Sequence, residues 1–418
     1  MTYTLRPYQE EVVNRMVADR HKPGNSLVVV AQGLGKSVII AELANRLNEE
    51  VLILVPTREL LLQNLEKLEA FVDQKDIGVY SAGVNRKERG KYTIATIQSA
   101  YRHPEVFKGI KVVLFDESSG LSPDKEGMYY QLFNAIGVQK VYGLTASPWR
   151  QTIVYNRPGG WAGYTGAKWQ RIRQLEAITT TKMITRFRPY KGKWFWSRVL
   201  AIINVDKATK MGYLTPLKYI DDSLVVHEQL KLNKSRSDFD LDYFEQLCNN
   251  YTKLVDYINK IKQKKILVFC SSIEQATKLA ELGHYFVVTA DTKAKERKQI
   301  IEQFRIVKRG VLCGVNVFSY GFDVPDLEAI VLLRPTRSLA LHSQVLGRLT
   351  RLTDGKEFGY VYDLVGNIRS MGRLETIKTT YIDGKLNVVS ETKPQGWHLV
   401  PLFTWNINQK QKDKNELR

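Results

Sequence analysis

The sequence predicts an α/β protein made of two parallel-sheet domains with a basic, aromatic-rich insertion between them. From Ser26 to Pro148, apolar β-branched runs alternate with amphipathic stretches, and the same rhythm returns between Lys264 and Leu364. Strand-like runs separated by helical patterns pair as a parallel sheet with the helices as crossovers. Between the two blocks, from about Trp149 to Arg198, Gly, Arg, Lys and aromatics replace that alternation. The 418 residues are enough for two or three separate cores. Residues 1–150 therefore read as the first α/β domain, 151–205 as the insertion and 206–255 as a linker or helical connection. Residues 256–375 read as the second α/β domain, and 376–418 as a C-terminal extension with a partly disordered tail.

The first block runs "SLVVVA", "SVIIAELANRL", "VLILVP", "TRELLLQNLEKLEAF", "YTIATIQSAY", "KVVLFDES" and "VYGLTASP". The second runs "KKILVFCSS", "IEQATKLAELG", "YFVVTAD", "KERKQIIEQFRIV", "GVLCGVNVF", "LEAIVLLRPT" and "FGYVYDLV". None of the apolar runs is of membrane-spanning length, and "MTYTLRPYQEEVV" lacks the basic start and apolar core of an export signal. The three scattered cysteines, Cys248, Cys270 and Cys313, fit a reducing cytoplasm and predict neither disulfides nor a Cys-based zinc site.

Charge points to the class of partner. The chain carries 62 Lys and Arg against 43 Asp and Glu, a net +19. Such an excess favours a polyanion through counterion release and long-range attraction, with nucleic acid the leading candidate. Between residues 150 and 198 stand eleven Lys and Arg and one acid, Glu176, so more than half of the excess sits in the insertion. Five of the seven tryptophans, Trp149, Trp161, Trp169, Trp194 and Trp196, lie in or beside it. Lys and Arg such as Arg186, Arg188, Lys191 and Lys193 can neutralise phosphates while aromatic rings take unpaired bases or wedge against a terminal pair. That combination suits a DNA fork or branch. The same aromatics can also form a small domain's core with the charges as its solvated face, and the two readings are compatible.

The chemistry begins at "AQGLGKS", residues 31–37, which follows an apolar strand and opens a helix. Gly33 and Gly35 let the backbone turn its N–H groups toward phosphate; Lys36 can reach the β- and γ-phosphates of ATP and Ser37 can ligate Mg²⁺. Gln32 and Val30 only shape the approach. A phosphate loop that supports hydrolysis also needs a carboxylate at a neighbouring strand end, and "VVLFDES" supplies Asp116 for the metal and Glu117 to orient and deprotonate the attacking water. A bare helix cap would explain neither the apolar run before "DES" nor its pairing with Lys36.

"LRPYQ", "AQGLGKS", "PTREL", "TIQS", "DESS", "TASP", "GFDVP" and "QVLGRLTR" stand in the order of the superfamily 2 helicase motifs and span nearly the whole chain. The chain resembles that superfamily. Within it, "LRPYQ", "GYLTPL", "GFDVP" and "YDLVGNIRSMG" resemble RadD-like helicases and small coliphage helicases that act on branched DNA. Many RadD-like proteins continue into a Cys-rich zinc region that these cysteines do not provide.

The resemblance implies two RecA-like domains, ATP and Mg²⁺ as cofactors, DNA as partner, and the cytoplasm of a bacterial or phage-infected cell. By resemblance, Arg6 and Gln9 belong to the adenine-reading group, and Asp323 would touch the ribose or metal side of ATP. Thr145 and Ser147 would link nucleotide to track. Gln344, Arg348 and Arg351 resemble the last motif, whose arginines reach the γ-phosphate and couple hydrolysis to closure of the cleft. His342 reads as a packing residue.

Thr57, Arg58, Thr96, Gln98 and Ser99 resemble first-domain contacts to the nucleic acid, and Ser271 and Thr289 their second-domain counterparts; small polar residues after strands are also plain caps. Two departures stand out. Ser119 replaces the usual His that joins the γ-phosphate region to the domain interface, and Gln32 replaces a common Thr. The expected function is an ATP-dependent DNA helicase or translocase on forked or branched DNA. An RNA helicase and an ATP-gated binding clamp remain as alternatives.

Overall fold

The computed structural model describes residues 4–121, 127–155, 177–183, 195–234, 238–315, 326–382 and 385–390. Within them the first sheet has eight strands: β1 (Asn25–Val30), β2 (Val51–Val55), β3 (Ile77–Ser81), β4 (Arg86–Lys87), β5 (Tyr92–Thr96), β6 (Val112–Asp116), β7 (Lys140–Thr145) and, after a hairpin of β8 (Trp149–Tyr155) and β9 (Ala177–Met183), β10 (Trp196–Ile203). Their order is β10-β1-β7-β6-β2-β5-β3-β4, parallel except for the short β3–β4 pair. The second sheet places β11 (Leu217–Asp221), β12 (Lys265–Cys270), β13 (Phe286–Val288), β14 (Gly310–Gly314), β15 (Ala329–Leu333) and β16 (Gly359–Asp363) in the order β11-β16-β15-β12-β14-β13, with parallel pairs throughout. The α/β class with two parallel sheets is as the sequence predicts.

Each sheet separates two apolar layers, which explains why its strands read as continuous apolar runs rather than alternating ones. Val51–Val55 and Val112–Asp116, for example, are buried at every position. One layer of the first sheet contains Leu54, Phe115 and Trp196; the other contains Tyr8, Val30, Ile40 and Leu114. Helix α1 (Pro7–Ala18) and helix α2 (Lys36–Leu47) contribute Tyr8 and Ile40 to the second layer. Helix α3 (Arg58–Leu68) starts at Thr57, whose Oγ1 accepts from Leu60 N at 3.3 Å.

Two of the expected segments differ in the structure. The insertion does not run to residue 205: β10 is paired with β1 from Asn25–Trp196 to Val30–Ile203 and extends the first sheet. Trp196 is fully buried against Gly143, where a Cβ would lie 2.2 Å from the indole, and Trp149 is buried in the same layer. For these two tryptophans packing is the role. Residues 206–255 are not merely a linker, because β11 lies within them and is an edge strand of the second sheet. The extension also begins with structure: β17 (Lys378–Ile382) pairs with β18 (Lys385–Val389), and Ile377 and Val388 enter the same layer as Trp196. Asn204 bonds both backbone groups of Thr379, at 2.8 and 2.9 Å, which ties this hairpin to the end of β10.

Composition hid β10 because Arg198 adds a charge to an apolar strand. That arginine lies at the sheet edge, 2.8 Å from the buried Asp19 carboxylate.

Candidate functional site

At the end of β1 the chain turns through Gly33 (φ 83°) and Gly35 (φ 72°), left-handed conformations that favour glycine, and enters α2 at Lys36. The start of this twelve-residue helix presents free N–H groups and the positive end of its dipole to the same space. Lys36 Nζ lies 3.2 Å from Glu117 Oε1. Glu117 itself has φ 53°, a strained value for a side chain with a Cβ, and this turn directs its carboxylate toward Lys36 after β6 ends at Asp116.

Asp116 is 2% exposed. Its two oxygens accept from Asn64 Nδ2 at 2.9 Å and from Glu117 N at 3.0 Å. Burial first, and then the neighbouring Glu117 charge, push its carboxyl up to about 6 against the pull of Lys36. A cation bound there would relieve that strain. Ser37 lines the same cavity, so a hydroxyl and a carboxylate converge as oxygen donors of the kind Mg²⁺ takes when phosphates complete its shell. Among the described residues, no group of three or more His, Cys, Asp or Glu side chains could form a metal cage of its own.

The second domain closes the cavity. Helix α5 (Leu339–Leu349, with α4 being Val205–Lys210) brings Gln344 and Arg348 to it, and Arg351 follows just beyond the helix end. Arg348 is 5% exposed; burial lowers its guanidinium to about 10 while Glu117 favours the charge, so it stays cationic at neutral pH. Arg351 is likewise lowered to about 10 by burial. The cavity, about 310 Å³, is lined by Arg6, Lys36, Arg348 and Arg351 against Asp116 and Glu117, leaving two positive charges in excess. That balance suits a metal-complexed triphosphate.

On the base side, Arg6 lies 5.2 Å from the Tyr213 ring centroid and lines the cavity. Gln9 sits beneath the phosphate loop rather than in the cavity: its Oε1 accepts from Arg6 N at 2.9 Å and its Nε2 donates to Leu34 O at 3.1 Å. Tyr8 OH donates to the same carbonyl at 2.7 Å. Asp323, Trp161, Trp169, Trp194, Arg186, Arg188, Lys191 and Lys193 lie outside the described residues.

The family model for the type III restriction enzyme res subunit matches residues 2–150, and that for the helicase conserved C-terminal domain matches residues 249–353. The DNA 3'-5' translocase XPB2 of Sulfurisphaera tokodaii is 26% identical over 369 residues, covering 84% of this chain and 79% of that protein. The 51.5 kDa protein of a Lactococcus phage is 26% identical over 354 residues, covering 82% of this chain and 66% of that protein. The chain belongs to the superfamily 2 helicases. The fold of this helicase is also similar to that of the ATP-dependent Type ISP restriction-modification enzyme LlaBIII bound to DNA, with a TM-score of 0.57 at 14% identity over 87% of this chain and 28% of that one.

As a member of this superfamily the helicase is an ATP-hydrolysing enzyme. Its remaining motif residues fall on the carboxyl edges of the two sheets. Thr57 and Arg58 follow β2, Thr96 ends β5 and Gln98 follows it; Arg58 and Gln98 are exposed, and Gln98 Nε2 donates to Pro56 O at 3.1 Å. Thr96 is buried, bonded to Ser81 and Ser99 hydroxyls at 3.1 and 3.0 Å. In the second domain of the helicase Ser271 is buried and donates to Glu245, and Thr289 N donates to Thr292 Oγ1 at 2.9 Å. Thr57, Thr96, Gln98, Ser271 and Thr289 thus have local structural bonds, and of the track residues Arg58 and Gln98 are the exposed ones.

Thr145 is fully buried and its Oγ1 accepts from Ser147 N at 3.1 Å; Ser147 lines a crevice between the domains with Gln32, Ser343 and Gly347. Ser119 is half-buried and lines neither this crevice nor the nucleotide cavity. His342 is buried, with Nε2 3.0 Å from Gly372 O, as a packing residue would be. Sequence reading missed Asn64, which orients Asp116, and Tyr213, which stood inside the quoted "GYLTPL" without a role.

Among the described residues no helix is long and apolar enough to cross a bilayer.

Proposed function

We propose that this helicase is an ATP-dependent DNA translocase or helicase that unwinds or branch-migrates forked and branched DNA in replication, recombination or repair. The reading rests on one observation above all: Lys36 and Glu117 from the first sheet meet Arg348 and Arg351 from the second in a single cavity. Hydrolysis there depends on how the two domains sit, so domain motion and chemistry are coupled. The +19 charge and the names of two similar proteins, a DNA translocase and a restriction enzyme bound to DNA, favour DNA as the track. The aromatic, cationic insertion favours a fork or branch over uniform duplex.

ATP would lie with its triphosphate along Gly33, Gly35 and the start of α2. Lys36 binds phosphate oxygen, and as it turns from Glu117 it frees that carboxylate to take a proton from water at the γ-phosphate. Arg348 and Arg351 stabilise the charge that develops on the transferred group, with Gln344 beside them. Ser37 and Asp116 would hold Mg²⁺, which supplies further charge neutralisation when bound.

The test is phosphate release from ATP with no nucleic acid, single-stranded DNA, duplex, a four-way junction and RNA, at low and moderate salt. Strongest stimulation by the junction supports the reading. Stimulation by RNA alone points instead to an RNA helicase, and nucleotide binding without stimulated turnover points to a binding clamp.

A further inference from the structure

Three consecutive residues, Tyr213, Leu214 and Thr215, touch three different parts of the nucleotide cleft. The segment leaves helix α4 through Gly212, at φ 74°, with Tyr213 N bonded to Ala208 O at 2.9 Å. Tyr213 places its ring beside Arg6 and, edge-on, 4.9 Å from the Tyr8 ring. Leu214 is 1% exposed and rests on the phosphate loop: a Cβ on Gly33 would lie 3.1 Å from Leu214 Cδ2. Thr215 is also 1% exposed and holds the arginine loop twice, N to Thr350 O at 2.7 Å and Oγ1 to Arg351 O at 2.9 Å.

A lysine pins the arginine loop as well. Lys356 Nζ donates to Leu349 O at 2.6 Å and to Arg351 O at 3.2 Å. Thr350 Oγ1 and Arg351 Cγ would stand 3.6 and 3.7 Å from that same Cβ on Gly33. Strap and arginine loop therefore both face the phosphate loop at Gly33, where Leu214 leaves no slack for a side chain and Thr350 and Arg351 stand just beyond it.

We propose that Tyr213–Thr215 is a base-sensing strap: a purine ring seated against Tyr213 and Arg6 sets the strap, and Thr215 sets the backbone that carries Arg351. The proposal rests on the cleft being the ATPase site. A planar ring laid against the Arg6–Tyr213 pair is held by stacking and cation–π attraction, which a triphosphate without a base cannot engage. Tyr213 is then a specificity residue, and Thr215, which touches no reacting atom, is a positioning residue. Turnover should depend on the base through kcat and not only through KM.

The test compares kcat for ATP with kcat for inorganic tripolyphosphate, at saturating single-stranded DNA, in the unaltered protein and in Tyr213→Ala, Tyr213→Phe, Thr215→Val and Thr215→Ser. In Tyr213→Ala and Thr215→Val the ratio of the two kcat values should fall by about tenfold, the scale of one lost hydrogen bond or stacking contact. Tyr213→Phe and Thr215→Ser, which keep the ring and the hydroxyl, should restore it. The double variant Tyr213→Ala with Thr215→Val should lower the ratio no further than either alone, since both act on one path. Equal loss with both substrates, or a change confined to KM, overturns the strap while leaving the ATPase site intact. Absence of ATP turnover in the unaltered protein overturns the ATPase site and the strap with it.

Discussion

Gln32 of the phosphate loop lies directly against Gly347 of the arginine helix: a Cβ at 347 would stand 2.7 Å from Gln32 Oε1 and 3.0 Å from Gln32 Cβ. The residue that departs from the common Thr is thus an interdomain contact, and its partner can only be small. Gly347→Ala should lower turnover by about tenfold while changing folding stability by no more than about 1 kcal/mol, because the helix preference for Ala offsets the crowding against Gln32. Adding Gln32→Ala should recover part of the loss. Steady-state phosphate release in the two single variants and the double one checks this; strictly additive losses would show that the two residues do not meet in the working state.

Lys36→Ala and Glu117→Gln should each reduce turnover by at least about a hundredfold, the usual range for removing a phosphate-binding lysine or a general base. Glu117→Gln removes one partner of the 3.2 Å ion pair but leaves Lys36 available to phosphate, so nucleotide should still bind. Titration with a fluorescent nucleotide separates the two effects, and normal turnover in either variant would remove these residues from the site.

Acid should destabilise the second domain through two buried histidines. Burial lowers His227 and His342 each to about 4, below the ordinary 6.5, and each sits within electrostatic reach of the other. A depressed histidine leaves stability unchanged above the unfolded value and removes it as pH falls from about 6.5 toward 4, because the unfolded chain takes up protons that the fold refuses. The loss should reach on the order of a few kcal/mol by pH 4. Thermal unfolding between pH 7.5 and 4.5 measures it. His342→Gln, which can still donate to Gly372 O but does not titrate in this range, should flatten the profile; an unchanged slope would assign the acid effect elsewhere.

Neutralising Arg186, Arg188, Lys191 and Lys193 together should weaken junction binding more than it weakens turnover with saturating single strand. The slope of log affinity against log salt should become shallower by about 3 to 4, near 0.9 per phosphate contact removed. Binding isotherms for a four-way junction at several salt concentrations give the slope. Equal losses in binding and turnover would assign these cations a general rather than a branch-specific role.

What could be read from the sequence was chemistry held in short segments. Lys36, Ser37, Asp116 and Glu117 are each fixed by a strand end and the turn that follows, so local pattern sufficed, and Arg348 and Arg351 came with a motif. Contacts between distant segments left no such trace. Nothing near Gln32 announces Gly347, and nothing in "GYLTPL" announces that Tyr213 faces Arg6. Net charge is a poor guide to the limits of the insertion, because Arg198 is an edge residue neutralised by Asp19 within a strand whose apolar side chains still pack.

The placement of β10 has a mechanical consequence. From Trp196 onward, β10 lies parallel to β1, whose far end becomes the phosphate loop. A pull on Trp196 along the axis of β10 would shear the paired positions from Asn25–Trp196 to Val30–Ile203 together. A load shared among many hydrogen bonds is borne far better than one that opens them in succession. Tension along β10 would thus be delivered, without unfolding the sheet, to the strand that carries the phosphate loop.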